Sequence, residues 1–235
     1  MHDQADLLRA GLAEISRQLR AETLDLADDR SAPHGAAGLG ELRAVLAQMP
    51  GSAWPRLATA FNDDQVASKL WLIEQLERVT DLAEHRVVIL GAWFGVLALL
   101  MHRVMPRPPA ELVCIDIDPA ACELATQLLS LVSPRPEVRL ADMMELDHAQ
   151  LSSGRDTVFI NTSCEHLTDF ARWRRRVPSG AWLVVQSNNH EGCREHVNCV
   201  ADLDAFDVQV QLSRTLFRGA LPLKQFQRFM LIGHA

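Results

Sequence analysis

The sequence predicts an α/β protein: a mostly parallel sheet with an antiparallel edge, preceded by helices. Three observations carry this. From residue 86 onward, short apolar runs alternate with helical patterns. Those runs are continuously apolar, as in strands covered on both faces, where a half-exposed strand would alternate. Two longer runs, 208–217 and 226–232, close the chain with no helical pattern between them, which suits a paired antiparallel edge.

The elements follow in order. Leu7, Leu8, Leu12, Ile15 and Leu19 recur at helical spacing. The breaker-rich Ser31-Ala32-Pro33-His34-Gly35 separates this helix from a second at 39–48, which Met49-Pro50-Gly51 ends. Asn62-Asp63-Asp64 reads as the cap of a third helix reaching Val79, with Val66, Leu70, Ile73 and Leu76 on one stripe. Strands are expected at 87–90, 112–115, 138–140, 157–160 and 182–185, then in the two terminal runs, making seven. Asp118 should cap a helix that Pro119 opens. The expected boundary puts a helical cap or lid at residues 1–83 and a ligand-binding α/β domain at 84–235.

Composition narrows the function. The chain has 235 residues, 48% of them hydrophobic, with 23 Lys+Arg against 30 Asp+Glu for a net charge of −7. An acidic balance disfavours a nucleic-acid partner, because binding phosphates needs a basic face. Arg172, Arg174, Arg175 and Arg176 make one local basic patch, read as a solvated helix face. Five cysteines, an odd number, favour a reducing compartment. The polar start and the lack of a sufficiently long apolar run give no sign of a secretory signal or membrane span, so a cytoplasmic location is expected. There is no tyrosine, hence no tyrosine base.

In an open parallel sheet, ligands bind beyond the carboxyl ends of the strands. The residues there are Gly91-Ala92-Trp93-Phe94-Gly95, then Asp116, then Asp142 beside Met143 and Met144. Glycine lets a backbone approach a ligand closely. The dinucleotide fingerprint G-x-G-x-x-G is missing, and helix packing would explain a bare G-x-x-x-G equally well. A carboxylate at Asp116 can accept from both hydroxyls of a ribose, and Asp142 with Met143 can receive an adenine edge.

These residues, across roughly 60–235, resemble the class I S-adenosylmethionine (SAM) dependent methyltransferases. The resemblance rests on Val87-Val88-Ile89-Leu90-Gly91-Ala92-Trp93-Phe94-Gly95, on Val113-Cys114-Ile115-Asp116-Ile117-Asp118-Pro119 and on Asp142. It implies a Rossmann-like seven-stranded sheet, with Gly91 against the methionine part of SAM, Asp116 on the ribose, Ile117 over the adenine, and Asp142 and Met143 at the adenine edge. Trp93 and Phe94 depart from the usual small-residue loop, and either could face the sulfonium through cation–π attraction.

Two polar runs follow the fourth and fifth strands: Asn161-Thr162-Ser163-Cys164-Glu165-His166 and Gln186-Ser187-Asn188-Asn189-His190-Glu191. The Asn/Asp-Pro-Pro-aromatic run of nucleic-acid amino-methylating enzymes is absent there. Two uses of SAM fit. In methyl transfer to a small molecule, His166 or Glu165 would take a proton. In cyclisation, the α-amine of SAM attacks its own γ-carbon and expels methylthioadenosine. Asn161, Ser163, Asn188 and Asn189 would orient the amine. Within the family, the whole chain is similar to the bacterial SAM cyclases that make azetidine-2-carboxylate for secondary metabolism. That similarity makes cyclisation the leading expectation, with SAM as substrate and the N-terminal helices as lid. Asn62, Asp63 and Lys69 would meet its carboxylate or amine, although capping and surface charge account for them as well. A SAM-binding protein without turnover is the third reading.

Cys193-x-x-His196-x-x-Cys199, with Cys164 and His166, approaches a zinc pattern. On a helix, Cys193 and Cys199 would lie about 600° apart and diverge, so buried thiols and hydrogen-bonded histidines are expected and no metal. A nucleophilic Cys164–His166–Glu165 group is disfavoured because adjacent residues rarely converge. The expected partner is a small-molecule substrate, with no nucleic acid and no membrane; a homodimer is possible.

Overall fold

The computed structural model describes residues 2–25, 38–152 and 156–235; the breaker stretch at 31–35 lies outside them. The helices α1 (His2–Arg20), α2 (Leu39–Gln48), α3 (Trp54–Ala60) and α4 (Asp63–Val79) precede the sheet. Then come β1 (Arg86–Leu90), α5 (Val96–Val104), β2 (Glu111–Asp116), α6 (Pro119–Leu128), β3 (Glu137–Leu140), α7 (His148–Leu151) and β4 (Thr157–Asn161). The chain closes with α8 (Phe170–Arg174), β5 (Trp182–Asn188), α9 (Leu203–Val210), β6 (Arg214–Pro222) and β7 (Gln227–His234).

Among the described residues seven strands form one sheet in the order β3-β2-β1-β4-β5-β7-β6. The first five are parallel, and β7 lies antiparallel between β5 and β6. Strand order reverses after β1, which turns toward β4 on one side and β2 on the other, creating the crevice where ligands of such sheets bind.

Two apolar layers follow from the two-residue period of a strand. Val87, Ile89, Leu112, Cys114, Val158 and Ile160 face one layer; Val88, Leu90, Val113, Ile115 and Phe159 face the other. The first layer includes Leu12, Ile15 and Leu19 of α1, so the N-terminal helices share the core of that sheet face. Each such fully buried side chain contributes about 1.5–3 kcal/mol. Trp173 of α8 and Phe206 of α9 fill the other layer.

Local signals place most boundaries. Asn62 Oδ1 accepts the Gln65 N–H at 2.8 Å and starts α4, and Asp118 Oδ1 accepts the Ala120 N–H at 2.9 Å and starts α6. Three expectations need correction. The helix α3 has no counterpart in the sequence reading, because its apolar residues lie close behind Pro50-Gly51. The run from Val208 is the end of α9, with the strand starting only at Arg214; Asp202 caps it through the Ala205 N–H, and Leu203, Phe206 and Val210 have helical spacing. Lastly, β5 continues to Asn188, because β7 pairs with it through Gln186↔Met230, Ser187↔Phe229 and Asn188↔Arg228. The first half of the second polar run, Gln186 to Asn188, is therefore buried strand.

The arginine patch is also more than a solvated face. Arg174 Nε donates to Val210 O at 2.9 Å, and Arg176 Nη2 donates to Leu146 O at 3.0 Å, so both pin neighbouring segments. Among the described residues no helix is long and apolar enough to cross a membrane.

Candidate active site

At the β1 end the backbone turns sharply, with φ of 68° at Gly91, 49° at Trp93 and 72° at Gly95. Left-handed values suit glycine and strain tryptophan. What holds the strained residue is Asp116: its Oδ2 accepts the Trp93 N–H at 2.7 Å, and its Oδ1 accepts the Asp118 N–H at 3.0 Å. Ala92 N–H donates to Ile115 O at 3.0 Å, tying the same turn to β2. An ionised carboxylate offers about four acceptor positions, so both oxygens of Asp116 keep capacity for hydroxyl donors. Next to it Ile117 is 65% exposed, and Leu140 at the β3 end is 57% exposed. Large apolar side chains standing free beside a carboxylate suit a flat apolar ring with a polar sugar attached.

Two side chains, Ser163 and Met143, converge on Gly91. A side-chain carbon there would lie 2.8 Å from Ser163 Oγ and 3.2 Å from the Met143 methyl. Ser163 Oγ donates to Gly91 O at 3.3 Å, and Asn161 Nδ2 lies 3.5 Å from Met143 Sδ. Asn161 Oδ1 accepts the Ser163 N–H at 2.8 Å, which holds the start of the β4 loop. Asp142 Oδ1 accepts the Met144 N–H at 2.8 Å in the same way.

Trp93 and Phe94 part company. Phe94 is fully buried in the core, with the Arg56 guanidinium 5.2 Å from its ring centre, and does not face the crevice. Trp93 stacks on it at 4.4 Å and keeps some exposed surface. Of the two rings, only Trp93 can meet a ligand without rearrangement.

Of the other expected polar residues, Glu165 and Asn188 form a second, buried cluster at the ends of β4 and β5 and the start of β7, while Asn189 is half-buried and His166 exposed. Glu165 Oε1 accepts from Asn188 Nδ2 at 2.6 Å and from Arg228 Nη1 at 2.7 Å. Asn188 Oδ1 accepts the His190 N–H, and Asn189 Oδ1 accepts the Gln227 N–H, both at 2.8 Å. Ser68 of α4 donates to Gln186 Oε1 at 3.1 Å. The amide oxygens thus hold backbone, and α4 closes over the sheet end. Cys164 is fully buried, and burial first, then Glu165, pushes its thiol well above the usual range, which removes it as a nucleophile. Arg228 and Ser68 had no functional reading in the sequence, because an arginine between Gln227 and Phe229 looks like a solvent-facing strand position.

Asn62 serves as a cap, and Asp63 pairs with Lys224 at 3.2 Å. Lys69 is different. Its ammonium donates to Gln65 Oε1 at 2.7 Å. Desolvation, then repulsion from Arg228, lowers its pKa from 10.5 to about 7, with Glu165 opposing. The unfolded chain therefore binds more protons between about pH 7 and 10.5, and stability rises with pH across that window. Lys69→Met should stabilise the fold most at and below about pH 7, the gain shrinking toward pH 10.5. Urea unfolding at about pH 6 and pH 10 checks this; equal gains at both would contradict it.

The sheet order and the residues at its crevice define a Rossmann-like methyltransferase fold. Solved structures bear this out at the level of fold. A protein of Bordetella parapertussis matches with a TM-score of 0.54 and 16% identity over 96% of each chain. A SAM-dependent methyltransferase of Anabaena variabilis matches at 0.52 and 13%, over 71% of this chain and 83% of its own. The [4+2]-cyclase SpnF matches at 0.50 and 18%, over 66% of this chain; the match spans only 61% of SpnF. No protein-family model matches the sequence, and no curated protein is detectably similar to it.

Proposed function

We propose that the chain is a SAM-dependent enzyme acting on a small molecule, with methyl transfer as its leading reaction. The observation that carries SAM binding is Asp116 at the β2 end, with spare acceptor capacity, beside the exposed Ile117 and across from the Gly91 turn. Bound SAM would supply an electrophilic carbon on a sulfonium. The chain's own residues do the rest. Asp116 holds the ribose hydroxyls, Ile117 and Leu140 cover the adenine, and Asp142 with Met143 borders its edge. Gly91, Ser163 and Asn161 line the methionine end. The comparison with a SAM-dependent methyltransferase of the same fold supports this use of the site.

Cyclisation to azetidine-2-carboxylate is the second reading. One observation favours it: α4, Gln186, Asn188 and the Glu165–Arg228 pair fill the ends of β4 and β5, where an external acceptor would approach. A reaction within one molecule needs no acceptor pocket and benefits from excluded water.

One experiment separates the two. The protein is incubated with SAM alone, then with a panel of small amine and hydroxyl acceptors, and the products are read by mass spectrometry. S-adenosylhomocysteine with a methylated acceptor is the expected result. Methylthioadenosine with a four-membered-ring amino acid, formed from SAM alone, would replace methyl transfer with cyclisation. Intact SAM in every mixture would contradict both.

A further inference from the structure

We propose that Glu165, His166 and His196 form a binding site for a divalent transition-metal ion of the zinc type. One ligand atom from each of these three lies within 4.8 Å of the other two. A helix over residues 193–199 would spread Cys193 and Cys199 apart and disfavour a metal. The segment 189–200 is instead turns and bends, and the convergent set contains a carboxylate and two imidazoles rather than cysteines.

Each donor is prepared for the task. His166 Nδ1 lies 3.1 Å from Glu195 O, and His196 Nδ1 lies 2.8 Å from His190 O. A backbone carbonyl accepts, so Nδ1 carries the proton in both rings and Nε2 keeps its lone pair. Metal-bound histidines are oriented by this kind of outer hydrogen bond. Glu165 divides its two oxygens. Asn188 and Arg228 both donate to Oε1, while Oε2 is buried and has no hydrogen-bond partner among the described residues. A buried charged oxygen without a partner costs more than an ordinary lost hydrogen bond, and a cation would relieve that cost. Arg228 engages the opposite oxygen and does not occupy this position.

The backbone brings the two segments together before any ion arrives. Glu165 O accepts the N–H groups of both Val197 and Asn198 at 2.9 Å, and Asn198 Nδ2 donates to Cys164 O at 3.1 Å. The His196 segment is thereby stitched beside the turn that carries Glu165 and His166. The two imidazoles already meet edge to face, with centres 4.8 Å apart. Zinc bonds of about 2.0–2.2 Å place tetrahedral ligand atoms roughly 3.4 Å apart. Closing to that spacing requires shifts of about 1 Å, which the exposed His166 ring can supply by rotation.

Two histidines and one glutamate leave a fourth position for water or for an oxygen or nitrogen of a small molecule, the pattern of an open zinc site. These three residues would hold the ion whether or not SAM is bound.

The test uses the full chain, stripped with a chelator and titrated with Zn2+ against a chromophoric competitor, and with Co2+ followed by visible absorption. One equivalent of tight binding is expected, with a Co2+ spectrum of low-coordinate nitrogen and oxygen ligation. His166→Ala and His196→Ala should each weaken Zn2+ binding by more than the roughly 10–100-fold that loss of an outer hydrogen-bond partner costs, while leaving the circular dichroism of the metal-free protein unchanged. His166 is exposed and His196 only half-buried, so both variants should fold. Absence of stoichiometric binding would overturn the proposal. So would binding that survives both histidine substitutions, or binding lost in Cys193→Ala or Cys199→Ala with cobalt–thiolate charge-transfer bands.

Discussion

Arg228→Met should lower the stability of the fold by about 3–5 kcal/mol, because it strands the Glu165 carboxylate in the interior. Both side chains are almost fully buried, at 5% and 3% exposure, and the pair joins β7 to the loop after β4. In a chain of this length the loss corresponds to a fall in melting temperature of roughly 6–20 °C. The penalty comes mainly from the uncompensated charge and less from the attraction lost. The double variant Glu165→Leu with Arg228→Met should therefore recover most of the loss, with the unpartnered Nδ2 of Asn188 as the residual cost. Chemical denaturation of parent, single and double variants checks both statements. A single variant within about 1 kcal/mol of the parent would mean that water or another group reaches Glu165.

The second large effect belongs to the crevice. Asp116→Ala should weaken SAM binding by about 100-fold or more, since two charge-assisted hydrogen bonds contribute about 1.5–3 kcal/mol each. The same carboxylate anchors the strained Trp93 turn and the Asp118 turn, so the alanine variant should also lose stability. Asp116→Asn separates the two roles, because the amide keeps one acceptor oxygen and loses the charge. Its stability should lie closer to the parent than that of Asp116→Ala, while its affinity for SAM should still fall. If neither substitution changes SAM affinity, the ribose does not sit on Asp116.

What could be read from the sequence was mostly local. Asn62 before α4, Asp118-Pro119 before α6 and the β-branched run of β1 announce themselves within a few residues, because caps, proline and strand propensity act over that range. The placement of Gly91, Asp116 and Asp142 was legible for the same reason: they stand at or just past strand ends. The second cluster was not. Glu165 meets Arg228 across 63 positions, and Ser68 meets Gln186 across 118. Only the β5–β7 register decides that Asn188 faces Arg228 as buried strand. The run from Val208 went wrong for a different reason. Its Val208, Val210 and Leu212 alternate like a strand, while Leu203, Phe206 and Val210 have helical spacing, and the Asp202 cap tips the balance to helix.

The most direct measurement is a calorimetric titration of SAM into the purified full chain and into its Asp116→Ala variant. Saturable binding at one site in the parent, with the variant at least about 100-fold weaker, is the predicted result. No binding in the parent at millimolar SAM, or binding equally tight in the variant, would contradict a SAM site at the carboxyl ends of β1 and β2.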